Sequence, residues 1–257
     1  MLRRGTNAAI FAIGRTCPSA QAACAAVILP VTMHRQIIVA DDHPLFREAL
    51  KAAVGRLDPA TNFVEADSVA SLLAALEVQP DADLLLLDLN MPGAQGFNAL
   101  AHVRGSRPGL PVVVVSADDD AQTIAGALRY GAQGFIPKST EAGRIGQAIE
   151  SVLAGEIYTP PGFHPPRAMP GSDDDLRIAR RVAELTPQQF RVLGMLCSGL
   201  LNKQIAYELD VSEATVKAHV TAILRKLGVT TRTQAVLAAG RLAVDRSSVK
   251  PPPEEQE

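Results

Sequence analysis

The sequence predicts an α/β fold, a doubly wound parallel sheet of five strands, followed by a small all-α domain of four helices in a helix-turn-helix arrangement. Three observations predict it. Short, continuous apolar runs alternate with helix-period segments between residues 36 and 155, as buried parallel strands and their crossover helices do. A stretch with five prolines between residues 160 and 170 comes next, and neither a helix interior nor a central strand accommodates it. From 185 to 245 the pattern is helical only, with capping residues at short intervals.

The elements can be justified in order. Ile37–Asp41 is an apolar run ending in acids, and the helix after it repeats Leu45, Phe46, Ala49, Leu50, Ala53 and Val54. Asn62–Ala66 is a short strand, and Ser68 is an N-cap for a helix carrying Leu72, Leu73 and Leu76. The third strand ends at Asp88 and is followed by a helix over Phe97–Arg104. LPVVVVSA is the fourth strand, and its helix, Ala121–Tyr130, stops at Gly131. Gly134–Pro137 is the fifth strand and Glu141–Ala154 its helix. Five such units in about 120 residues suit a doubly wound sheet. In the C-terminal part Thr186 caps a helix with Pro187 at its first position and Gln189 three residues on, the reciprocal capping pattern. Asn202 is expected to cap a short helix through Leu209, Ser212 a longer one ended by Gly228, and Thr231 the last. Two helices about three residues apart are the helix-turn-helix signature.

The expected organisation is an N-terminal extension (1–35, with Met33 as an alternative start), an α/β domain (36–155), a Pro-rich linker (156–184), a helical domain (185–245) and a disordered tail (246–257). DLRIARRVAEL, at the linker's end, is a candidate helical lead-in. The net charge of −2 conceals an asymmetry: residues 36–155 carry 8 basic and 15 acidic side chains, and residues 185–245 carry 7 and 4. An acidic block before a basic one suggests separate tasks, the second on a polyanion. Cys17, Cys24 and Cys197 are scattered and odd in number, which excludes a disulfide framework or a zinc site. No apolar run reaches the 18–20 residues or so of a membrane span.

In a doubly wound sheet, function collects beyond the carboxyl ends of the strands. The first strand ends in Asp41-Asp42, the third in Asp88, the fourth in Ser116 and the fifth beside Lys138. An Asp after a strand is ordinarily a cap or a solvated turn residue; the ordered set carries the reading. Clustered carboxylates need a cation, and hard Mg²⁺ takes carboxylates, waters and phosphate oxygens. A carboxylate can itself be the nucleophile that forms an aspartyl-phosphate. His43 reads as a helix-start residue rather than a ligand, and His34, His102 and His164 have no partners at ligand spacing.

IIVADDHPLFREAL, LLLLDLNMPGAQG, VVVVSA and GAQGFIPKS resemble, in order and spacing, the flavodoxin-like receiver domain of two-component response regulators. The resemblance implies that Asp88 is the phosphoacceptor. It implies Mg²⁺ held by Asp42, Asp88 and the backbone carbonyl of Asn90, with Asp41 on a metal-bound water. Lys138 would pair with the phosphoryl group, and Ser116 and Phe135 would be the switch residues. Pro137 precedes the lysine here, where many relatives have a proline after it.

GLLNKQIAYEL and SEATVKAHVTAILRKL resemble the LuxR-type helix-turn-helix of NarL/FixJ-type response regulators. Glu213–Leu227 would be the recognition helix in the major groove. Val216, Val220, Ile223, Leu224 and Leu227 share one helix face, which leaves Thr215, Lys217, Ala218, Thr221 and Arg225 facing outward. Those residue types suit base edges, while Lys203, Ser212, Arg225 and Lys226 suit phosphates. Gln188-Gln189 stands where relatives commonly have Arg-Glu, so a frequent salt bridge is missing.

Together the resemblances imply a cytoplasmic, phosphorylation-controlled transcription regulator and not an enzyme. Its partners would be a sensor histidine kinase and double-stranded promoter DNA, with a homodimer formed on activation through Thr231–Leu242 and no membrane. In the resting state the first domain is expected to mask part of Glu213–Leu227. Two other readings compete. One is a phosphorylation-independent DNA-binding regulator. The other is a Mg²⁺-dependent phosphohydrolase, which ordinarily needs an acid two residues after the nucleophile, where this chain has Asn90.

Overall fold

The computed structural model describes residues 35–166 and 173–242. The expectations for the N-terminal extension and Met33, for Cys17 and Cys24, for part of the Pro-rich stretch and for the 246–257 tail lie outside those residues.

Five strands, β1 (Gln36–Ala40), β2 (Asn62–Ala66), β3 (Leu84–Asp88), β4 (Val112–Ser116) and β5 (Gly134–Pro137), form one parallel sheet in the order β2-β1-β3-β4-β5. Strand side chains alternate between faces. Ile37, Val39, Leu84, Leu86, Val113 and Val115 therefore point one way, into a cluster with α1 (Pro44–Gly55) and α5 (Ala142–Leu153). Ile38, Leu85, Leu87, Val114 and Phe135 point the other way, towards α2 (Val69–Val78), α3 (Asn98–Ser106) and α4 (Ala121–Arg129). Both faces are covered, so LLLL and VVVV are wholly buried runs. Burial of each such side chain contributes about 1.5–3 kcal/mol. Leu45 departs from the expected helix repeat: it is 87% exposed at the start of α1, which buries Leu50, Ala53 and Val54 instead.

After α5 the chain returns along the open edge of β5. The Tyr158 N–H donates to the Gln133 carbonyl (3.0 Å), and the Tyr158 carbonyl accepts from the Phe135 N–H (3.1 Å), in a parallel bridge. Strand edges left unpaired are liabilities, and this segment covers one.

Within the stretch read as linker, Asp173–Ala183 is a helix, α6. Three aspartates in its first turn and Arg180 and Arg181 in its last complement the helix dipole. Its buried stripe, Ile178, Ala179 and Val182, lies against α3. Contact there is backbone-close: a Cβ on Gly105 of α3 would collide with Ala183.

The helical half continues with α7 (Pro187–Cys197), α8 (Asn202–Glu208), α9 (Glu213–Leu227) and α10 (Arg232–Gly240). Thr186, Ser212 and Thr231 cap α7, α9 and α10 as the sequence suggests. The cap of α8 is Leu201 and not Asn202, because the Gln204 side chain reaches back to the Leu201 N–H (2.7 Å). Gly228 ends α9 at φ +64, a left-handed conformation that glycine adopts without strain. Burial pushes the Cys197 thiol up to about 11, which leaves it a protonated packing residue.

The two halves meet along α2, α3 and α4. The Phe97 N–H donates to the Leu242 carbonyl (2.8 Å), and Asn98 Nδ2 to the Ala239 carbonyl (3.1 Å). The start of α3 thereby satisfies carbonyls at the end of α10, which a helix terminus otherwise leaves unpaired. Gly194 of α7 lies over the Gly93 carbonyl, and Arg129 of α4 reaches Asp173 (3.5 Å).

Candidate functional site

Parallel register puts the ends of β1, β3, β4 and β5 at one edge, so side chains far apart in sequence converge. Asp41 and Asp88 are each 1% exposed. The Lys138 ammonium lies 2.7 Å from Asp41 Oδ2 and 2.9 Å from Asp88 Oδ2. Although Pro137 precedes it, the Lys138 N–H donates to the Ser116 carbonyl (2.7 Å) and carries the β4–β5 pairing one residue past the proline. Asp88 Oδ1 accepts the Asn90 N–H (3.1 Å), and the Asn90 amide reaches Asp118 (3.4 Å). The Ser116 hydroxyl accepts the Asp118 N–H (3.1 Å).

Burial raises the Asp88 carboxyl above the ordinary aspartate value, opposed by Lys138 and the Asn90 N–H. Burial alone would lower Lys138; hydrogen bonds to Asp41 and Asp88 outweigh it and hold the ammonium above its ordinary value. The site is thus a half-buried ammonium shared by two buried carboxylates, with a third, Asp42, at the rim.

His43 stands at the start of α1, as the sequence indicates, and lies beside this cluster. One ligand atom from each of Asp41, Asp42, His43 and Asp88 lies within 4.8 Å of the others. Its N–H and Nδ1 approach Asp41 Oδ1 (2.7 and 3.2 Å), and Nδ1 is 2.7 Å from Asp42 Oδ1. His43 is the cap residue of α1, with Pro44 at the first helical position; the Asp-Asp-His adjacency was the available signal. Three carboxylates facing one ammonium form a hard oxygen set short of positive charge, and that fits a small divalent cation.

Phe135 is fully buried, in the apolar cluster with Val114, Ile124 and Ala127.

A second surface lies on α9. Val216, Ile223 and Leu227 are buried, with Val220 and Leu224 half-buried beside them. Thr215, Lys217, Ala218, Thr221 and Arg225 are exposed on the opposite side, and Lys203 is exposed on α8. Lys217 pairs with Glu213 one turn back (3.2 Å), and the Thr221 hydroxyl donates to the Lys217 carbonyl (2.9 Å). The Ser212 hydroxyl accepts the Thr215 N–H (3.1 Å), so it is engaged as a cap.

Two expectations are corrected here. Lys226 does not join the outward set: its ammonium donates to the Glu184 carbonyl (2.7 Å) and to Gln189 Oε1 (2.8 Å). That tie joins α9 to α7 through the Gln189 amide oxygen, which accepts from an ammonium as a carboxylate does. Nor does the α/β half cover α9. It contacts α6, α7 and the end of α10, and it leaves the outward face of α9 exposed.

Comparisons with known proteins agree on both halves. Residues 37–150 match the response regulator receiver domain, and residues 183–239 match the bacterial regulatory proteins of the luxR family. The glycerol metabolism activator of Pseudomonas putida is 44% identical over 209 residues, covering 80% of this chain and 95% of its own. The nitrate/nitrite response regulator protein NarL of Escherichia coli (strain K12) is 32% identical over 201 residues, covering 78% of this chain and 93% of its own. Among solved structures, RcsB of Salmonella enterica serovar Typhimurium bound to a promoter aligns with 82% of this chain and all of its own, at a TM-score of 0.47 and 21% identity.

Proposed function

Because this chain belongs to the response regulators that join a receiver domain to a LuxR-type DNA-binding domain, we propose that Asp88 receives a phosphoryl group and that α9 then reads promoter DNA. The observation that carries the reading is Lys138, whose one ammonium bridges Asp41 and Asp88 in a buried pocket. An Asp88 oxygen attacks phosphorus in the phosphohistidine of a sensor histidine kinase. The new O–P bond forms as the P–N bond breaks, and the imidazole leaves with the kinase. Lys138, already within hydrogen-bond distance of Asp88, pairs with the incoming phosphoryl oxygens. The Ser116 hydroxyl, now accepting from the Asp118 N–H, can turn to donate to them.

Asp42, Asp88 and the Asn90 carbonyl would hold Mg²⁺, with Asp41 behind it. When bound, the cation neutralises charge on the phosphoryl oxygens. Asn90 offers an amide where the phosphohydrolase reading needs an acid, and its side chain is directed to Asp118. The protein is a transcription regulator and not an enzyme.

The β3–α3 loop begins at Asp88 and ends at Phe97, whose N–H holds Leu242. Movement of that loop on phosphorylation would loosen the end of α10 and free it for a two-fold contact on DNA, where Leu237, 65% exposed, supplies an apolar side chain.

The test is incubation of the full chain with acetyl phosphate and Mg²⁺, followed by intact mass and DNA-binding measurements. The wild type should gain one phosphoryl group and bind operator DNA more tightly; Asp88→Asn should do neither. One observation favours the competing reading, DNA binding without phosphate: the outward face of α9 is already exposed. Equal operator affinity with and without phosphodonor would establish that reading.

A further inference from the structure

His102 is a titratable side chain that the phosphoryl chemistry does not use. It lies on α3, where the receiver meets the helical half, and is 1% exposed. Its ring is parallel to that of Phe190 on α7, with centroids 4.3 Å apart and planes 4° apart. Nδ1 lies 3.4 Å from the Val182 carbonyl of α6, and Nε2 is buried with no hydrogen-bond partner. The ring is therefore packed against α6 and α7.

A neutral imidazole suits this position. Nδ1–H donates to Val182, the ring stacks on a phenyl face, and only Nε2 goes unpaired. A second proton would place a full charge and an unmatched donor in an apolar seam, and a buried charge without a partner is costly.

None of the charged groups around the seam pairs with the ring among the described residues. On α6, Arg181 donates to the Leu227 carbonyl (2.6 Å), and Asp175 pairs with Arg241 from beyond α10 (2.8 Å). Arg191 of α7 lines a cleft with Glu77 of α2, and Arg104 of α3 donates to the Leu110 carbonyl (2.7 Å). Glu184, just after α6, makes no ion pair with the ring among the described residues. Burial, the larger influence, holds the imidazole below its ordinary value, and the Val182 carbonyl opposes it.

We propose that His102 is a proton-sensitive latch between the two domains: its neutral ring permits α3 to dock on α6 and α7, and its protonation releases them. The docked ring binds its proton less readily than the undocked ring. Docking is therefore at full strength above the ordinary imidazole value, about 6.5, and weakens as pH falls through it. Below that value the ratio of open to docked molecules rises about tenfold per pH unit until the docked ring itself titrates. The latch concerns docking itself and holds whether or not a kinase supplies the natural signal.

The test uses the full chain without phosphodonor. Hydrogen exchange of the α3 and α6 peptides, corrected for intrinsic rates, is measured between pH 7.5 and 5.5. The expected result is that protection falls about five-fold between 6.5 and 5.5 in the wild type and shows no such step in His102→Gln, whose amide stays neutral. Unchanged wild-type protection, or the same step in His102→Gln, would overturn the latch. Should the variant fail to dock, imidazole NMR titration of the wild type decides: His102 must titrate below the ordinary imidazole value of about 6.5, and titration at or above that value refutes the proposal.

Discussion

At Lys138 one ammonium faces two carboxylates, each 1% exposed. Removing one partner of a buried charge set costs more than the set contributes when intact, because the remaining charges stay buried and unpaired. Lys138→Ala should therefore lower unfolding stability by about 3 kcal/mol in the absence of divalent ions, as read by urea denaturation. Millimolar Mg²⁺ should restore more stability to the variant than it adds to the wild type, since it would supply the missing positive charge; an equal increment for both would separate the cation from these carboxylates. The acidic set itself was legible, because strand ends in a doubly wound sheet share one edge and the sequence places an acid or a lysine at three of the four. His43 was legible as a residue at the start of α1, and the structure adds the approach of its ring to Asp41 and Asp42.

Among the helices, α9 shows how local signals and packing divide the work. Ser212 at its start and Gly228 at its end set its length, and both were visible in the sequence. Ser212→Ala removes the acceptor of the Thr215 N–H and should cost about 1 kcal/mol, measured as a lower melting transition of the helical domain. DNA affinity should fall with it, because the same turn begins the exposed face; a variant of unchanged stability would mean that water serves that N–H equally well. The far end of α9 was less legible. Lys226 lies among residues suited to phosphates by type, yet helix phase turns it to Gln189 and Glu184, so α9 and α7 are tied together by it.

For the molecule as a whole, the contact between α3 and α6 governs how the two domains are held. It depends on Gly105, where even a methyl group would meet Ala183. Gly105→Ala should leave the acidic site and the α9 face intact while prising α3 from α6. Operator affinity without phosphodonor should then rise several-fold, by fluorescence anisotropy; unaltered affinity would mean that docking does not restrain DNA binding. The expected masking of α9 is replaced by a hold on α10, through the bonds from Phe97 and Asn98 to Leu242 and Ala239.

The sequence by itself determined the five alternating units, the two chemical surfaces and the caps Ser68, Thr186, Ser212 and Thr231, because period, capping and strand-end position are local properties of a chain. Only the tertiary structure decided what His102, Gly105 and Phe97 do. Within their own helix they read as ordinary interior or boundary residues, and nothing local distinguishes them. Their roles arise where α3 meets helices some 80 to 141 positions later, as the bonds from His102 to Val182 and from Asn98 to Ala239 span. Contacts of that range depend on how two finished surfaces fit, and a pattern read along one segment carries no record of the other.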